Sequence, residues 1–205
     1  MVNIEDIYEF EPETKLEYKK IMKQIFDKQK ELLIKYREIE NLPVTLNINS
    51  PEHQKLLKEF TFRGIEELAE AQEAVRERNM QHFLEEISDA IHFFTEVLIM
   101  ANVDIIFLDD EIFDWAKGKE LELRGIEERF WKITYFFSIS CNKLKCKPWK
   151  KTQVLTDEES YKDALILAYN EMMKELIGIG FGGKQVLDIY MMKHNVNKFR
   201  IRSNY

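Results

Sequence analysis

EELAEA at residues 66–71 and EEISDAIHFF at residues 85–94 decide how the chain folds. In each stretch carboxylates recur three apart: Glu67 with Glu70, and Glu86 with Asp89. Residues at that spacing sit one turn from each other on the same helix face. Beside the second pair, Phe83, Leu84, Ile87, Ala90, Ile91, Phe94, Leu98 and Ile99 follow the helical period along one side. The link between the two acidic pairs is short, so the helices are expected to be antiparallel neighbours. Facing pairs would bring four carboxylates into one volume. Such a group is tolerable only if protonated, solvated or bound to cations. Hard divalent ions such as magnesium take oxygen ligands of this kind. Acidic residues three apart are also common on solvated helices, and the chain has 37 acidic residues, so spacing alone does not separate the two readings.

Outward from this pair the chain continues to read as helix. Residues 13–40 carry Leu16, Ile21, Ile25, Phe26, Leu32, Leu33 and Tyr36 at helical spacing. Asn41, Pro43 and NINSP at 47–51 form a connection, and Ser50-Pro51 is a cap followed by proline at the first helical position. The second helix is expected over about 51–78 and the third over about 80–102. A fourth is expected over about 119–144 and a fifth from Thr156, where Thr-Asp-Glu-Glu reads as a capping box. The fifth stops in GIGFGG at 178–183, and a short sixth covers about 184–194 before a polar, basic tail. No segment alternates as a strand does, and 7 Gly and 4 Pro are too few for a turn-rich β-fold. The expectation is an all-α bundle of about six helices. It forms one domain over 1–205, with a helical insertion or sub-domain at about 103–180.

Hydrophobic residues make up 45% of the chain, enough for a sizeable core, and 33% are charged, which suits long solvated helix faces. The net charge of -7 argues against a general nucleic-acid binder. Cys141 and Cys146 are too few for a disulfide framework and lack partners at zinc spacing. The N-terminal MVNIEDIYEFEPE has no signal-peptide pattern, and His92, Glu96, Asn102 and Asp104 interrupt the most apolar stretch. A cytoplasmic protein without a membrane partner is expected.

The tail KHNVNKFRIRSNY at 193–205 offers a second constellation. Lys193 and Asn197 are four apart and share a face if the helix continues. Arg200 and Arg202 follow. Lysine, asparagine and arginine supply a point charge, a neutral donor and a planar fork, which suits an oligophosphate, although a basic terminus can also be simply solvated. Gly178 to Lys184 has P-loop spacing, but Gln185 replaces the Ser or Thr and a helix precedes it, so it reads as a helix stop. Glu86, Asp89 and His92 invite a di-iron reading, but two Glu-x-x-His motifs are needed and none is present. His92 therefore reads as a histidine at the core's edge, bonded to a neighbour. Trp149 among Lys147, Lys150 and Lys151 reads as a solvated link (145–151) with an anchoring aromatic.

These pieces together resemble a known group. EELAEA, EEISDAIHFF and KHNVNKFRIRSNY, in that order, are similar to the all-helical dimeric dUTPases, which belong with phage dCTPase-dUTPases and MazG-like pyrophosphatases of the all-α NTP pyrophosphatase type. The early helix segment Phe26-Asp-Lys-Gln29-Lys-Glu-Leu32 resembles the family's first helix. The resemblance implies a homodimer that hydrolyses dUTP to dUMP and pyrophosphate, in a host's cytoplasm if phage-encoded. It implies that Glu67, Glu70, Glu86 and Asp89 hold two or three Mg2+ ions, or Mn2+, with Glu67 orienting or deprotonating the attacking water. Gln29 would contact the base, and Lys193, Asn197, Arg200 and Tyr205 the phosphates and sugar. Leu33 stands where the family often has Asn, Asn204 where it has Gly, and a Trp/Lys motif after ExxE is missing, with KPWKK lying later at 147–151. These departures bear on the base: uracil is the first choice and cytosine the second. Another (d)NTP of the superfamily, or a non-catalytic helical nucleotide-binding protein, remains the alternative.

Overall fold

The computed structural model describes residues 15–104, 123–147, 149 and 154–203. Among these the chain forms six helices and no strand: α1 (Lys15–Glu40), α2 (Pro51–Arg76), α3 (Met80–Met100), α4 (Ile126–Lys143), α5 (Glu158–Ile179) and α6 (Gly183–Arg202). The expected all-α bundle is what the protein forms.

Helix α3 is the hub. Buried residues occupy nearly every side of it, including the consecutive run from Ile91 to Met100 apart from Phe93. A helix apolar on most sides must be surrounded, and α3 packs on α2, α1, α6 and α5. The α2–α3 hairpin is its most extensive contact, and α4–α5 forms a second helix pair. One hydrophobic cluster includes side chains from all six helices, such as Ile25, Leu68, Phe94, Phe137, Tyr169 and Ile189.

The hairpin is close because Gly64 of α2 lies under Phe94 of α3. A Cβ at Gly64 would sit 2.7 Å from the Phe94 ring. Phe94 in turn stacks on Phe137 of α4 at 3.8 Å between centroids, so α2, α3 and α4 interlock at one point.

Local signals place most helix ends. Ser50 caps α2 by accepting from the His53 amide, with Pro51 following, and Asn79 caps α3 by accepting from the His82 amide at 3.2 Å. Gly180, at φ +115, ends α5 in the left-handed conformation, so the glycine-rich stretch is a helix stop as expected.

Three boundaries differ. Helix α4 starts only at Ile126, after Gly125 at φ +73. The cap of α5 is Asp157, which accepts from the Ser160 amide at 3.1 Å, and not Thr156. Thr156 is instead buried, accepting from Gln54 and from the Lys145 amide, while its own amide donates to Asn49. A tertiary tie has taken the residue that local spacing assigned to a cap. Helix α6 runs to Arg202 rather than stopping near 194. Val186, Ile189, Tyr190 and His194 bury one face of it, and it packs on α1 and α3. Arg200 and Arg202 in its last turn favour the negative end of the helix dipole.

Candidate functional site

The α2–α3 hairpin brings the acidic pairs together. One oxygen each from Glu67, Glu86 and Asp89 lies within 4.8 Å of the others. Glu70 falls in a second group, with Glu86 and His82, at the same spacing. Glu86 is thus shared between the two groups, and it is buried while Glu70 is exposed. His82 Nε2 lies 2.7 Å from Glu86 Oε1. His82 was not foreseen; its spacing of one turn from Glu86 is the signal that could have found it.

Crowding shows in the protonation of this cluster. Burial, then a hydrogen bond with Glu86, then the charges of Asp89, Glu86 and Glu70 push the Glu67 carboxyl up to about 8. Burial raises Asp89 too, against the lowering effect of Lys193. Without a cation, Glu67 therefore holds a proton at neutral pH. Three oxygen donors at this spacing, one kept protonated by its burial and then by its neighbours, are a donor set that a hard divalent ion fits.

Helix α6 supplies the opposite charge. Because it continues to Arg202, Lys193, Asn197 and Arg200 stand on one face at positions i, i+4 and i+7. All three line a cavity of about 490 Å³ that Glu67 and Asp89 also line. Lys193 Nζ donates to Asp89 Oδ2 across the α3–α6 contact. Tyr205, expected beside them, lies outside the described residues, as do Lys150 and Lys151.

Leu33, Tyr36, Leu42, Leu56, Phe60 and Phe93 also line the cavity, interspersed with Arg37, Glu40, Glu59, Arg63 and Glu96. Arg37 is 2% exposed there, its guanidinium 5.2 Å from the Phe60 ring centre and 2.8 Å from Glu40. Gln29 is not on the wall. It is fully buried behind it, donating to Glu96 Oε1 at 2.7 Å and accepting from the Tyr190 hydroxyl at 2.9 Å. Glu96 is the residue of that network that reaches the cavity.

His92 also lines the cavity. Its Nδ1 is 2.8 Å from the Ser88 carbonyl, and its ring stacks on Tyr190 at 4.2 Å. Burial holds it neutral, its pKa lowered to about 4. A neutral ring with Nδ1–H donating to the carbonyl leaves Nε2 as an acceptor, and Nε2 has no protein partner among the described residues. This agrees with the reading of a core-edge histidine bonded to a neighbour.

The site thus sets the partly buried carboxylates Glu67 and Asp89 and the basic face of α6 on one cavity of an all-α bundle. A family profile described as dUTPase matches residues 72–205, and the chain belongs to that family. The match takes in Glu86, Asp89 and the α6 residues, and leaves Glu67, Glu70 and Gln29 upstream of it. No curated protein and no solved structure matches the chain. Among the described residues no helix is long and apolar enough to cross a membrane.

Proposed function

We propose that this protein hydrolyses dUTP to dUMP and pyrophosphate with magnesium. The observation that carries the reading is one cavity lined at once by Glu67 and Asp89 of the carboxylate cluster and by Lys193, Asn197 and Arg200. Membership of the dUTPase family supports the nucleotide.

Glu67, Glu86 and Asp89 would hold the ion, with Glu70 beside them through Glu86. Magnesium, when bound, neutralises phosphate charge and makes water a better nucleophile. Lys193 leaves Asp89 to donate to the phosphate chain, and Asn197 and Arg200 donate further along the same face. Glu67 orients the water and takes its proton as the water attacks the α–β phosphoanhydride. The α–β anhydride bond breaks and pyrophosphate leaves. The part of the cavity lined by Leu33, Tyr36, Phe60 and Phe93 takes the base, with Gln29 acting from behind the wall. Tyr205 completes the phosphate and sugar contacts. The whole chain is one domain, 103–180 its helical insertion, and it works as a homodimer in the cytoplasm, apart from nucleic acid and membrane.

The test is pyrophosphate release from a panel of dNTPs with magnesium. Release from dUTP that disappears in Glu86→Gln supports the reading. Equal rates on all bases remove dUTP as the particular substrate, and no turnover at all favours a non-catalytic nucleotide binder.

A further inference from the structure

Three carboxylates of the cavity, Glu40, Glu59 and Glu96, belong neither to the cation cluster nor to the α6 face, and of these Glu96 is the buried one. Glu96 lies two turns beyond Asp89 on α3, about 10 Å further along the helix axis. That sets it well away from the carboxylate cluster, in the same cavity as Tyr36, Phe60 and Phe93. It is 7% exposed, and Gln29, itself held by Tyr190, donates to its Oε1. Oε1 is the oxygen that Gln29 holds, and Glu96 is one of the residues that line the cavity. The group is oriented by Gln29 and lines the cavity together with Tyr36, Phe60 and Phe93.

We propose that Glu96 determines which pyrimidine the site takes, its Oε2 meeting the 4-position of the ring. This rests on the reading of the cavity as a deoxynucleoside triphosphate site. At that position uracil, like thymine, carries a carbonyl acceptor and cytosine an amino donor. A protonated carboxyl donates to the first, and a carboxylate accepts from the second. Each pairing leaves the wrong base with two donors or two acceptors facing each other, which a buried site rejects strongly.

Burial pushes the Glu96 carboxyl up to about 7, against the lowering effects of Gln29 and Arg37, and Glu40 adds to the rise. Both forms are then available near neutrality. The other charged or titratable groups at the cavity are Tyr36, Arg37 and Glu40 from α1 and Glu59, Arg63 and Glu67 from α2. His92 and Asp89 come from α3, and α6 adds Lys193, Arg200 and, behind the wall, Tyr190. On α5, Tyr169 lies deeper, its hydroxyl pushed up to about 12 by burial. Burial also raises Tyr36 and Tyr190 and holds His92 neutral, so these rings keep their charge state through the neutral range.

The experiment measures kcat/KM for dUTP and dCTP with magnesium, for wild type and Glu96→Gln, at about pH 6 and about pH 8. The wild-type dUTP:dCTP ratio is expected to fall about tenfold or more across that range. In Glu96→Gln, Oε1 stays with Gln29 and the new amide faces the ring as a donor only. Its ratio is expected to favour dUTP at both pH values and to lose the pH dependence. A wild-type ratio that does not move with pH overturns the proposal, whether or not the variant folds. So does a variant ratio that tracks the wild type. Turnover of both nucleotides with either of these results leaves the pyrophosphatase reading standing. Turnover of neither removes that reading and the role of Glu96 with it.

Discussion

Lys193 of α6 donates its ammonium to the Asp89 carboxylate of α3, so the basic helix and the acidic hairpin are joined before any ligand arrives. The pair is partly exposed, with side chains 25% and 16% accessible, and its own contribution to stability is small. Its value lies in placing the lysine beside the cluster that a triphosphate must approach.

Lys193→Met should therefore fold normally and bind phosphate poorly. A charge-assisted hydrogen bond is worth roughly 1.5–3 kcal/mol, so kcat/KM should fall on the order of 10- to 100-fold. Steady-state kinetics beside a thermal melt separates the two effects. A variant with unchanged kcat/KM would exclude the lysine from the phosphate site.

Glu86→Gln removes the carboxylate common to both clusters. Turnover should drop by on the order of 10²–10³-fold. Magnesium at a hundred times its dissociation constant should stabilise the wild type by about 2.7 kcal/mol and the variant by far less. Melting curves with and without magnesium read this without any substrate. Chelation should return the wild type to its metal-free melting temperature.

The buried carboxyls give stability a definite slope with pH. For Glu96 the folded value, about 7, lies above the ordinary 4.5, so the folded protein binds this proton more tightly than the unfolded chain does. Its contribution is fully present below about 4.5 and is lost as pH rises to about 7. Glu67 acts in the same sense up to about 8 when no cation is bound. Glu96→Gln has no such loss, so urea melts should show it gaining on the wild type by on the order of 2 kcal/mol between about pH 5 and about pH 8. A constant difference would mean that Glu96 titrates normally.

Gly64→Ala tests the close approach of α2 and α3. Alanine favours a helix by about 1 kcal/mol over glycine. Its Cβ would meet Phe94 at 2.7 Å, and Phe94 is fully buried against Phe137. Overpacking of this kind costs about 1–3 kcal/mol, so net destabilisation is expected. Stabilisation would show that the Phe94 ring has room to move.

Much of the fold was legible in the residues. Ser50-Pro51, the helical period of Phe83 to Ile99 and the glycines after Ile177 each mark a helix with short-range physics. The ExxE and ExxD spacing needed only one further step, a short link that folds the two helices back on each other. Thr156 shows where that kind of reading fails. Its neighbours spell a cap, yet Gln54, 102 residues away, claims its hydroxyl.

The sequence by itself determined the helices, the two acidic faces and the chemistry of the basic tail, because period, caps and one-turn spacing are properties of neighbours. Only the tertiary structure decided that α6 lays Lys193 against Asp89, that Gln29 stands behind the cavity wall and that Glu96 stands on it. Glu96 was visible beforehand only as a charge interrupting an apolar stretch. Its partners Gln29 and Tyr190 complete a network spanning 67 and 161 residues of chain. Contacts at that separation arise when buried polar groups must find partners inside a packed core, and no local pattern records which ones they find.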